Sequence, residues 1–144
     1  MRILFLLCLT YNIVISQNET NNPLDIPIIL SGTYGELRTN HFHSGIDIKT
    51  KGIEGLNVYS YDNGYVSRIK ISHGGYGKAI YIKHLNGSTS VYAHLKKFSK
   101  KIEKIVKTKQ YERMSYEIEF FPKENEIPIT KNEIIALSGN TGGT

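Results

Sequence analysis

Two imidazoles and a carboxylate lie within the stretch His41-Phe42-His43-Ser44-Gly45-Ile46-Asp47-Ile48. Neutral imidazole nitrogen and carboxylate oxygen are standard ligands for Zn²⁺. Spacing decides whether they can act together. On a flat strand, His43 and Asp47 share a face but stand roughly 13 Å apart. Ligands held at about 2 Å from one ion cannot be so distant. A helix would bring them close, but Gly45 and the β-branched Ile46 and Ile48 disfavour one. A bend at Ser44-Gly45, with the glycine supplying an unusual backbone angle, is the remaining way to face both side chains at one point. The residues alone leave a second reading open, in which these are turn or surface histidines beside a turn carboxylate.

His94 is the next chemical candidate, in Val91-Tyr92-Ala93-His94-Leu95. A metal hydrolase needs a group to move protons beside the metal-bound water, and histidine is the commonest choice. An imidazole at a strand end is equally an ordinary structural feature.

The elements that must position these residues are short and mostly extended. Apolar segments and alternation predict strands at 27–30, 56–61, 65–71, 79–84, 89–94, 116–121 and 133–138. Within 65–71, strict alternation puts Ile69 and Ile71 on one face and Val66, Arg68 and Lys70 on the other. Asp62-Asn63-Gly64 and Asn86-Gly87 are strong turn signals, the second that of a tight hairpin. Phe98, Ile102, Ile105 and Val106 change to helical spacing, with Ser99 as a candidate N-cap, so a helix is expected over about 99–110. Lysines 96, 97, 100, 101, 104, 107 and 109 form a basic cluster, read as a solvated helix face. The expected fold is mainly β, a compact antiparallel two-sheet sandwich or open barrel with one inserted helix.

Composition sets the outer limits. A chain of 144 residues, 40% hydrophobic and 22% charged, is one globular domain with enough apolar material for a core. The net charge of +5 suits an anionic surface without requiring nucleic acid. No nucleic-acid-binding motif is present. Residues 1–16 read as a secretory signal peptide: Met1-Arg2, an apolar run from Ile3 to Thr10, and Val14-Ile15-Ser16 before a cleavage expected after Ser16. The apolar run is too short to span a bilayer. After cleavage no transmembrane segment is expected. Cys8 is the only cysteine and falls in this leader, so the exported chain would carry no disulfide. Residues 17–26 read as a polar linker and 27–144 as the domain. Export to the periplasm, cell envelope or exterior follows.

Taken in order, the pieces resemble the lysostaphin/LytM-type zinc endopeptidases, which cut peptide cross-links in peptidoglycan. His43-Ser44-Gly45-Ile46-Asp47 is similar to the family's H-x-G-x-D stretch. Val58 to Val66 is similar to the strand-turn-strand that follows, and Gly75 to Gly87 to the next hairpin. Tyr92-Ala93-His94-Leu95 is similar to the Y-x-H element, and Ser138 to Gly142 to a glycine-rich turn. The resemblance implies a Zn²⁺ cofactor, His43 and Asp47 as metal ligands, His94 as a catalytic histidine and a peptidoglycan peptide as substrate. It gives His84 a structural role and His41 none as a ligand.

Two departures accompany the resemblance. Residues 96–132 form a helix-containing insertion, expected to shape one wall of a groove. The family also closes its site with an H-x-H element after the glycine turn, and no histidine follows His94 here. The domain is therefore expected to be an incomplete copy, with weak metal affinity and little activity as it stands. Two rival readings are a non-catalytic envelope module that binds or activates other wall hydrolases, and a carrier-type β domain. The sequence gives no oligomeric state.

Overall fold

The computed structural model describes residues 22–39 and 41–143. The expected leader, with Cys8 and the cleavage point, and the first half of the linker lie outside these residues. Among the described residues three antiparallel sheets make up the fold. β4 (Gly64–Ile71) is the spine of the largest, whose order is β6 (Thr89–Tyr92), β5 (Lys78–His84), β4, β8 (Ile118–Phe120); β9 (Pro128–Ile129) also pairs with β4. A second sheet has the order β3 (Asn57–Tyr59), β10 (Ile134–Leu137), β7 (Lys97–Phe98). β1 (Leu30–Gly32) and β2 (Asp47–Ile48) form a small third sheet. None of the sheets closes into a barrel, and the mainly β expectation holds.

The core lies between the two larger sheets. Val66, Ile69, Ile80 and Ile82 from one face Val58, Ile135, Ala136 and Phe98 from the other in one buried apolar cluster. Each buried aliphatic side chain here contributes about 1.5–3 kcal/mol relative to exposure. The alternation expected for β4 fails at one point. Val66 pairs with Ile82 but Arg68 pairs with Tyr81, so Ser67 is an extra residue in the ladder. This β-bulge shifts the phase by one, and Val66 joins Ile69 and Ile71 on the buried face instead of opposing them.

The helix α1 spans Lys100–Arg113 and ends three residues beyond the end that the spacing predicted. Ser99 does occupy the N-cap position, but its hydroxyl makes no capping hydrogen bond. Glu103 reaches back instead, accepting from the Phe98 amide at 3.2 Å. Ile102 and Val106 are buried, and the helix packs on β7 and β8. The insertion thus extends the large sheet through β8 and β9 and caps the core. Among the described residues no helix is long and apolar enough to cross a membrane.

Two connections bring the chemical residues together. The segment from Thr33 to His43 folds back on itself, with the Gly35 amide donating to the His43 carbonyl at 2.7 Å and the His43 amide to the Glu36 carbonyl at 2.8 Å. At the other side, Gly75 and Gly143 form a bridge in both directions. Gly77 makes this approach possible: its φ is 59°, and a Cβ there would stand 2.4 Å from the Thr141 carbonyl carbon.

Candidate metal and catalytic site

The chain bends at Gly45 as the spacing required, and β2 begins at Asp47. The bend does not use a left-handed glycine, since Gly45 is not among the positive-φ residues. A Cβ at Gly45 would lie 3.8 Å from His43 Nε2, an ordinary contact.

The bend sets His43 Nε2 3.3 Å from Asp47 Oδ1. Tetrahedral ligands bound at about 2.0–2.1 Å are separated by about 3.3–3.4 Å. The pair therefore has the bite of two neighbouring ligands on one ion. Hydrogen bonding fixes the tautomer that such a role needs. His43 Nδ1 lies 3.0 Å from the Thr33 carbonyl oxygen, an acceptor only, so Nδ1 carries the proton and Nε2 keeps its lone pair. A proton on Nε2 as well would turn the same contact into an ion pair.

Asp47 is held from its other oxygen. Arg38 Nη2 donates to Oδ2 at 2.7 Å and approaches Glu36 Oε2 at 3.5 Å. It also stands 3.4 Å from His43 Nδ1; both groups bear hydrogens there, so this is proximity and not a hydrogen bond. The hydrogen bond to Asp47, foremost among its causes, raises the Arg38 pKa above the ordinary arginine value.

His94 follows β6 and does not continue its alternation. Its φ of 55° turns the chain out of the strand. The Nδ1–H donates to the Thr141 carbonyl at 2.8 Å, leaving Nε2 available. Tyr76 connects the two halves. Its hydroxyl is 3.0 Å from Ser44 Oγ, and its ring meets that of His94 edge-on at 6.2 Å.

His43, Asp47 and His94 line one open cleft of about 530 Å³. Its walls include Ile46, Tyr76, Val91 and Asn140. The helix-bearing insertion contributes no lining residue, contrary to the groove-wall expectation, because β8, β9 and α1 are committed to the far edge of the large sheet. Among the described residues no third His, Cys, Asp or Glu joins the pair as a metal cluster.

The remaining histidines have other surroundings. His84 is buried; its Nδ1–H donates to the Asn63 carbonyl at 3.0 Å and its Nε2 accepts from Ser90 Oγ at 2.7 Å. His73 stacks on Tyr116 with ring centroids 5.1 Å apart. His41 is exposed, and its carbonyl accepts the Arg38 amide at 2.9 Å. Tyr76, Glu36 and the carbonyls of Thr33 and Thr141 carry no signal in the sequence pattern that would mark them as part of the site. Side-chain pattern holds no signal for a carbonyl partner, since every residue has one.

Comparison with known proteins points to a peptidase family. Residues 41–111 match Peptidase family M23. Over 63 residues the chain is 40% identical to the DD-carboxypeptidase/endopeptidase Mpg of Neisseria meningitidis serogroup B (strain ATCC 13091 / M2091). It is equally similar to the protein of that name from Neisseria gonorrhoeae (strain ATCC 700825 / FA 1090). The aligned stretch is 44% of this chain and 14% of each relative, so the match spans a small part of those proteins.

Proposed function

Because the chain belongs, through residues 41–111, to peptidase family M23, we propose that it carries part of the site of a zinc-dependent endopeptidase acting on peptide cross-links of bacterial peptidoglycan outside the cytoplasm. The observation that carries this reading is the 3.3 Å approach of His43 Nε2 to Asp47 Oδ1 in a cleft shared with His94.

His43 and Asp47 would hold the metal through Nε2 and Oδ1. Bound there, zinc polarises a carbonyl and lowers the pKa of water. The protein's own groups do the rest. Thr33 keeps His43 in the tautomer that leaves Nε2 unprotonated. His94, turned into the cleft with Nδ1–H held by Thr141, offers Nε2 to accept a proton and return it to a leaving amine. Tyr76 holds the His43 side of the cleft against the His94 side through Ser44. Catalytic zinc takes three protein ligands, and His43 and Asp47 are read here as two of them.

Release of cleaved wall peptides from purified peptidoglycan tests the reading. The chain would be compared with a form extended by a strand carrying His-x-His. The extended form is expected to release peptides, and His43→Ala within it to stop release. Equal release from the His43→Ala form, or no release by the extended form with zinc present, would contradict the proposal.

A further inference from the structure

We infer that Arg38 and Glu36 are positioning residues that lock His43 and Asp47 into one ligand geometry, with Arg38 occupying one carboxylate oxygen so that only Oδ1 faces the metal position. The inference rests on the reading of His43 and Asp47 as ligands.

The four side chains and the backbone of Thr33 form a closed ring. Arg38 Nη2 takes Asp47 Oδ2 at 2.7 Å. The same nitrogen meets Glu36 Oε2 at 3.5 Å. That carboxylate oxygen accepts the Thr33 amide at 3.1 Å. The Thr33 carbonyl, on the same residue, accepts His43 Nδ1–H at 3.0 Å. His43 Nε2 then faces Asp47 Oδ1 at 3.3 Å and closes the circuit. Each ligand is thus aimed from behind by its second polar atom, and both supports trace to one folded segment.

Two features show that the ring is specified. Gly32 leaves the space in which Arg38 and Asp47 meet: a Cβ there would stand 2.5 Å from both Arg38 Nη2 and Asp47 Oδ2. Arg38 also keeps this position although its Nε is buried with no hydrogen-bond partner, an unfavourable placement for a guanidinium. The contact with Asp47 is what compensates. Outer partners of metal ligands fix ligand orientation, and their loss weakens metal binding by about 10–100-fold.

The test uses the full chain, with zinc affinity measured by competition with a coloured chelator and coordination followed by the visible spectrum of bound Co²⁺. Arg38→Ala is expected to weaken zinc binding by about 10–100-fold. Its Co²⁺ band should also weaken, as Asp47 becomes free to bind through both oxygens. Arg38→Lys should recover part of the affinity, because an ammonium keeps the charge but lacks the planar fork. Glu36→Gln should fall between the parent and Arg38→Ala. Arg68→Ala, which breaks a comparable pair with Glu119 on the large sheet, should leave affinity and spectrum as in the parent. Parent-like affinity and spectrum in Arg38→Ala would overturn the inference. If that variant does not fold, parent-like values in both Arg38→Lys and Glu36→Gln would overturn it. His43→Ala and Asp47→Ala separate the two levels. If they lose zinc and Arg38→Ala does not, the positioning role alone falls. If they bind zinc as the parent does, the ligand reading falls with it.

Discussion

The Thr141 carbonyl accepts the Nδ1–H of His94 at 2.8 Å, the device by which Thr33 orients His43 at the opposite side of the cleft. The two histidines thus expose Nε2 alike, yet only His43 has a carboxylate opposite that atom. His94→Ala is accordingly expected to leave zinc affinity close to the parent value. In the form extended by His-x-His it should lower cleavage by about 10²–10⁴-fold. Parallel zinc titration and peptide-release assays check the split; loss of zinc binding in His94→Ala would make it a ligand and not a proton carrier.

Gly32→Ala places a methyl group among side-chain ends, not against backbone. Arg38 and Asp47 can move aside, so thermal stability should change little. The displaced carboxylate should bind zinc about tenfold more weakly, at the low end of the range for a disturbed outer partner. Melting curves and zinc competition on the same preparation distinguish this from general unfolding.

Gly77→Ala should behave oppositely. Its φ of 59° and the 2.4 Å approach to Thr141 offer an alanine no low-energy position. Destabilisation by more than about 1 kcal/mol is expected, measured by denaturant unfolding. The His94–Thr141 contact should loosen with it.

Much of the fold could be read from side-chain pattern. The Asn86-Gly87 hairpin, the switch to helical spacing at Ile102, Ile105 and Val106, and the bend between His43 and Asp47 all appear where expected. What escaped was relational. The extra residue at Ser67 exists only against its partner strand, so alternation along 65–71 misplaced Val66. β9 is a two-residue strand whose pairing with β4 no local signal announces. The site's supports at Thr33 and Thr141 are backbone atoms. Ser99 was expected as a cap from its type, but Glu103 reaches the Phe98 amide and the serine hydroxyl is left buried without a partner.

Ser90→Ala probes the buried histidine that stands outside the cleft. It removes the donor to His84 Nε2 from a residue only 3% exposed. An unsatisfied buried acceptor costs about 1–3 kcal/mol. Chemical denaturation should show that loss, with zinc affinity unchanged. A change in zinc affinity without loss of stability would tie His84 to the site.

His43 is expected to offer Nε2, and not Nδ1, to a metal shared with Asp47. Nitrogen-15 NMR of the imidazole rings during zinc addition tests it most directly. His43 Nε2 is expected to shift as zinc binds while Nδ1 keeps its proton, with Asp47→Ala suppressing the shift and His84 not responding. Zinc binding with no change at His43 Nε2, or with coordination through Nδ1, would contradict it.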